Sequence, residues 1–171
     1  MTVEEFAKLP ETPAYICELH NGELVKMTRP VFRHLQIQHQ LQYLLADAAG
    51  DRRTVYIETP FLPLAEHEVR VADLAYAPRE RWRDVPRDGY FMGTPDLVIE
   101  ILSPSNTAAE MLAREQLCLE NGAREFWIVD PEHKQVKIST PEGRTATYKA
   151  GGAIPVFFAP EKTIAVDAIF E

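Results

Sequence analysis

GTPDLVIEILSPS occupies residues 93–105, and GAREFWIVDP follows at 122–131. Leu97–Leu102 is apolar except for Glu100, and a continuous apolar run of that length marks a strand buried on both faces. Phe126–Val129 predicts a second buried strand, closed by the Asp130-Pro131 turn. Between them, Thr107–Asn121 predicts a helix stopped by Gly122. Strand, helix, strand is a crossover unit, so the sheet is at least partly parallel.

Working outward, the chain adds further strands on both sides. Residues 2–9 predict a short helix ended by Pro10. ICELHNGELVKM places Asn21-Gly22 between two strand-like runs, the residue pair a type I′ hairpin turn requires. A helix from Val31 to Ala49 follows Pro30, with Leu35, Ile37, Leu41, Leu44, Leu45 and Ala48 at helical spacing. Thr54–Leu64 and Glu68–Tyr76 predict a strand pair. The polar stretch Pro78–Gly93 predicts a loop, and its arginines 79, 81, 83 and 87 are diluted by Glu80, Asp84 and Asp88. Short strands at Val136–Thr140, Arg144–Tyr148, Ile154–Phe158 and Thr163–Val166 complete the chain. The expected fold is α/β: a mixed central sheet flanked by helices, in one domain spanning residues 1–171.

Composition is that of an ordinary globular chain, with 46% hydrophobic and 26% charged residues. Cys17 and Cys118 lie far apart, outside any metal-binding spacing, and predict reduced thiols in a cytoplasmic protein. The first ten residues, MTVEEFAKLP, lack the basic-then-apolar order of a signal peptide. No apolar run approaches the ~20 residues a membrane span needs. The net charge is −8. Such a chain repels polyanions as a whole, so a nucleic-acid partner requires local cationic groups or bound metal ions.

Glu100 is the sharpest anomaly, because a lone carboxylate among apolar neighbours must be paired, protonated or bound to a metal. A core arginine partner is one solution and a metal ion is another. Asp73, in VRVADLAY, shares a strand face with Val69, Val71 and Ala75, and so aims a second acid inward. Neighbouring carboxylates repel, and a divalent cation between them removes that penalty. Oxygen ligands alone favour Mg²⁺ or Mn²⁺. The histidines do not make a zinc site: His34 and His39 diverge by roughly 140° around a helix, and His20, His67 and His133 stand apart.

These stretches, with CELHNGEL at 17–24 and His34 at the head of the long helix, resemble the Uma-two family of restriction-type endonucleases. That family belongs to the PD-(D/E)XK nuclease superfamily, and the resemblance runs from Tyr15 to the C-terminus. It implies a restriction-endonuclease-like core with an N-terminal hairpin. The implied activity is Mg²⁺- or Mn²⁺-dependent hydrolysis of nucleic acid, DNA foremost, by a possible homodimer. Asp73 is similar to the metal-binding Asp of that superfamily, and Glu100 to the acid of its (D/E)XK strand. Glu18 is similar to an N-terminal acid that completes the metal shell, with Glu23 as the alternative, and His34 matches a recurrent histidine. Position 102, where the superfamily pattern has Lys, holds Leu102; the family's displaced Lys corresponds to Arg114, with Lys26 as another candidate. Arginine keeps its charge and cannot act as a general base. A catalytically impaired module that binds nucleic acid or a protein is therefore the rival expectation. Asp96, Glu125, Asp130 and Trp127 are expected to support the fold.

Overall fold

The computed structural model describes residues 1–171. Thr2 caps a short helix α1 (Val3–Phe6), its hydroxyl accepting the Glu5 amide while Glu5 reaches back to the Thr2 amide. β1 (Ile16–His20) and β2 (Glu23–Met27) form the expected hairpin. Asn21 and Gly22 both take positive φ at its tip, 48° and 80°, as a type I′ turn demands. The long helix α2 (Phe32–Ala49) ends at Gly50 in the left-handed conformation.

β3 (Val55–Leu62) and β4 (Arg70–Tyr76) pair antiparallel. The 78–93 stretch is not simply a loop: it contains helix α3 (Arg79–Arg83) and the short strand β5 (Phe91–Met92), which runs parallel to β3. Trp82 fastens this segment, with its indole N–H near the carbonyls of Thr54 and Ala77 and its ring against Phe91. Two of the four arginines there are paired, Arg81 with Asp96 and Arg79 with Asp51.

β6 (Leu97–Ile101), α4 (Ala108–Glu120) and β7 (Glu125–Asp130) form the crossover unit, and β6 and β7 are parallel. β8 (Gln135–Ser139) and β9 (Thr145–Lys149) extend the sheet antiparallel. Its seven strands run β5-β3-β4-β6-β7-β8-β9. β10 (Ala153–Val156) and β11 (Ala159–Ala165) make a separate hairpin, and a closing helix α5 (Val166–Ile169) stands where the sequence suggested only strand end.

α2 covers one face of the sheet, with Ile37, Leu41 and Leu45 packed on Leu74, Ile99, Trp127 and the β10–β11 hairpin. α4 covers the other, where Cys118 meets Val98, Phe126 and Ala75. The first hairpin stays outside the seven-stranded sheet and docks through a bridge from Leu19 to Val69. No helix is long and apolar enough to cross a membrane.

Candidate active-site cleft

The site forms where the ladder between β4 and β6 stops. Its last pair is Leu74 with Ile99, and the next step of that register sets Asp73 opposite Glu100. On the other side of β4, the pairs Ile57–Leu74 and Thr59–Ala72 bracket Glu58 opposite the same Asp73. Three acids thus occupy one cross-strand row. Glu58 has φ of +46°, a left-handed conformation that costs a non-glycine residue roughly 1–2 kcal/mol. Strand alternation changes phase at this row. Val55, Ile57, Leu74 and Tyr76 pack on the α2 side, whereas Phe61 and Ala72 pack on the α4 side. This break frees the Asp73 carboxylate from regular alternation.

Asp73 Oδ2 accepts the Ile101 amide at 2.7 Å, which replaces the missing ladder bond. Its Oδ1 lies 3.1 Å from His34 Nε2, within ion-pairing distance but off the hydrogen-bonding angle, so that buried nitrogen has no well-aligned partner. Burial alone would lower the His34 pKa, but the Asp73 and Glu58 carboxylates outweigh it and raise it. Gln38, fully buried on α2, donates to Glu58 Oε1 and to the Asp73 carbonyl, both at 2.7 Å. That one amide fixes Glu58 and the Asp73 backbone together.

The opposite wall is built on Arg114. Helical spacing put this residue at the edge of α4's inner face, and it is 5% exposed. It donates to Glu100 Oε1 at 3.1 Å, Glu18 Oε2 at 2.5 Å and the Val71 carbonyl at 3.1 Å. Glu18 also accepts the Val71 amide at 2.8 Å and lies 2.6 Å from His20 Nε2. Burial would raise Glu18, but Arg114, His20 and the Val71 amide prevail and hold it at about 2. Glu100 shares Arg114 yet moves the other way: burial dominates, and the charges of Asp73 and Glu18 add to it, so its pKa is well above the usual carboxylate range. Of the two partners foreseen for Glu100, the core arginine is present as Arg114.

A cleft of about 910 Å³ opens above this floor and is lined by Glu18, His34, Glu58, Asp73, Glu100 and Arg114. Arg29, Arg33, Asp130 and His133 also line it. All five candidate residues are thus brought together. Glu23 is exposed on β2, and Lys26 lies outside the cleft with its ammonium 4.5 Å from the Tyr15 ring centroid. Asp96 pairs with Arg81, and Glu125 accepts the Trp127 indole N–H. Asp130 has a dual place: it ties its own turn through His133 while lining the cleft. His20 is not isolated, because it touches Glu18 and Arg70. Glu58 and Gln38 went unread in the sequence, although a polar Gln38 beside Ile37 and Leu41 on the buried arc was a usable signal.

No three side chains of His, Cys, Asp or Glu converge into a closed metal cage. The donor set still fits a hard cation. Mg²⁺ commonly takes one or two carboxylates and completes its shell with water and substrate phosphate. Three acids, Glu18, Asp73 and Glu100, line the floor with one buried arginine, Arg114, so carboxylates outnumber the fixed cation there. Asp73 and Glu100 are the acids that could share such an ion.

The Uma2 family model, described as "Putative restriction endonuclease", matches residues 3–168. A solved structure described as a putative nuclease belonging to DUF820, from Anabaena variabilis ATCC 29413, is similar with a TM-score of 0.82. The two are 24% identical, over 99% of this chain and 97% of that one. That likeness shows that the two chains share one fold. No curated protein matches the chain.

Proposed function

Since the chain belongs to the Uma2 family of restriction-endonuclease-type proteins, we propose that it is a divalent-metal-dependent endonuclease, with DNA as the first substrate to test. The observation that carries this function is the register of Asp73 opposite Glu100 at the point where the β4–β6 ladder opens. Asp73 and Glu100 would hold Mg²⁺ or Mn²⁺. When bound, such an ion supplies Lewis-acid polarisation of a phosphodiester and acidifies water near neutral pH.

The chain's own residues do the positioning. The Ile101 amide fixes one oxygen of Asp73, and His34 stands 3.1 Å from the other. Arg114 cannot take a proton from water, but its permanent charge offsets the charge that builds on phosphate oxygens as the P–O bond breaks. Glu18 has both oxygens engaged by Val71, His20 and Arg114, so its role is to orient Arg114 rather than to ligate an ion. His34 keeps an imidazole between Asp73 and the cleft, where it can orient a water or a phosphate.

One observation favours a second function. The Arg114–Glu100 contact at 3.1 Å occupies a carboxylate that an ion would need, as expected of a non-catalytic nucleic-acid- or protein-binding module. Cleavage of a plasmid and of a circular single strand in Mg²⁺ or Mn²⁺ separates the two. Asp73→Ala and Glu100→Ala should each abolish nicking, and undiminished nicking in both would discard the proposal. A non-catalytic module would show no nicking and little thermal stabilisation by millimolar Mn²⁺, whereas a site that binds the ion gains stability by linkage.

A further inference from the structure

The cleft mouth carries a surface that hydrolysis at its floor does not use. TRPVFRH, residues 28–34, turns there into α2. Val31, 69% exposed, lines the cleft with Arg29 and Arg33, and Phe32, 74% exposed, is the adjoining side chain just outside that lining, so two large apolar side chains stand in water at the rim. Arg29 and Arg33 flank them. Arg29 is tethered to the carbonyls of Pro13 and Thr12, at 2.5 and 3.0 Å, and Arg33 to that of Pro131. These tethers fix each guanidinium and leave its charge uncancelled. The arginines with carboxylate partners are Arg53, Arg70, Arg79, Arg81 and Arg114, and these two are not among them. α2 also begins without a side-chain cap and without an acid in its first turn, which leaves its positive end available to an anion.

Resting on the nucleic-acid function proposed above, we infer that this lip binds an unpaired nucleotide. A base stacks on Phe32, Arg29 and Arg33 hold the adjoining phosphates, and the cleft takes single-stranded rather than duplex nucleic acid. In a duplex both faces of each base are covered by neighbours, so an exposed aromatic ring can stack only on a base that is unpaired or extruded. Electrostatics point the same way. A chain of net charge −8 repels the dense charge of a duplex, and two free arginines neutralise few phosphates. Stacking supplies attraction that does not depend on charge.

The test is fluorescence anisotropy with a fluorescein-labelled oligothymidylate of about 16 nucleotides and a duplex of the same length, in millimolar Ca²⁺. The single strand should bind more tightly than the duplex. Phe32→Ala should weaken it by roughly 10-fold or more and Phe32→Trp should restore it. A double-logarithmic plot of affinity against salt should have a slope of about −1.4, for roughly two phosphates, and become shallower by about 0.7 in Arg33→Gln. Failure to bind the oligonucleotide, equal affinity for the duplex, or binding indifferent to Phe32→Ala each overturns the inference, whatever the cleavage assay returns. Phe32-dependent binding without cleavage supports the lip and removes only the hydrolytic proposal.

Discussion

The two walls of the cleft hold their carboxylates in opposite ways. On the α4 side, Glu18, Glu100 and the Val71 carbonyl saturate Arg114, and little there is left unpaired. On the α2 side, His34 Nε2 and Gln38 Oε1 are buried without aligned partners, and Glu58 sits in a left-handed conformation. Buried ion-pair networks tolerate the loss of a member poorly, because the remaining charges stay in a low-dielectric interior. Under-satisfied polar atoms and backbone strain instead mark a place poised for a ligand. The first wall should therefore govern stability and the second should govern binding.

The largest expected effect tests the first wall. Arg114→Met should destabilise the protein by about 3–5 kcal/mol, read from urea unfolding. Arg114→Lys keeps one charge but lacks the fork that reaches Glu18, Glu100 and Val71 together, so its loss should be smaller. Equal stability of Arg114→Met and the unmodified protein would erase the contrast. Asp73→Asn should sharpen it from the other side. An asparagine oxygen can still accept the Ile101 amide, so stability should hold to within about 1 kcal/mol, while stabilisation by Mn²⁺ in a thermal melt should vanish.

Acidity offers a third test, with two signs to work out. Glu18 has a depressed pKa in the folded state, so its contribution is complete above its ordinary value of 4.5 and is lost as the pH falls towards about 2. Glu100 is raised, so the folded state binds its proton first, and stability improves as the pH falls through its elevated value. Acidification from neutral should thus first stabilise the ion-free protein and then unfold it. Glu100→Gln should reduce the initial rise in a series of urea titrations, leaving the part that His34, also raised in the folded state, contributes, and leave the acid limb in place.

Smaller effects concern strain and access. Glu58→Ala and Glu58→Gly both lose the Gln38 hydrogen bond, but only glycine relieves the positive φ. The glycine variant should be the more stable of the two by about 1 kcal/mol. Cys118 is buried behind Arg114, and burial, with the charge of Glu100, pushes its thiol up to about 12. A thiol reagent should therefore modify Cys17 promptly and Cys118 only as fast as the α4 wall opens, faster in Arg114→Met.

Which parts of the site the sequence revealed follows from the range of the forces involved. Glu100 stood out because its own strand is apolar, and Asp73 because alternation along seven residues is a local pattern. Arg114 comes from the family resemblance, since helical angles alone set it only at the margin of α4's inner face. Glu58 could not be placed, because it joins the site through cross-strand register and a reversal of alternation, and neither is written in its neighbours. Gln38 shows in the sequence only as a polar residue on a buried arc, and its partner is legible only once Glu58 is known. The same limit explains α3: the five residues RERWR lack enough turns to show a period, and it is Trp82, reaching Thr54, that pins them. The arginine count at 79–87 overstated the free charge there, since pairing with Asp51 and Asp96 depends on the folded arrangement.

The Glu18–Arg114 contact joins residues 96 positions apart, one on a hairpin outside the main sheet and one on the crossover helix. During synthesis the hairpin emerges long before its counter-ion does. A half-made or partly unfolded chain therefore lacks a positioned arginine, and the α4 wall of the cleft closes only with the complete tertiary structure. Under the DNA cleavage proposed above, such late assembly would keep fragments of the chain from acting before the fold is complete.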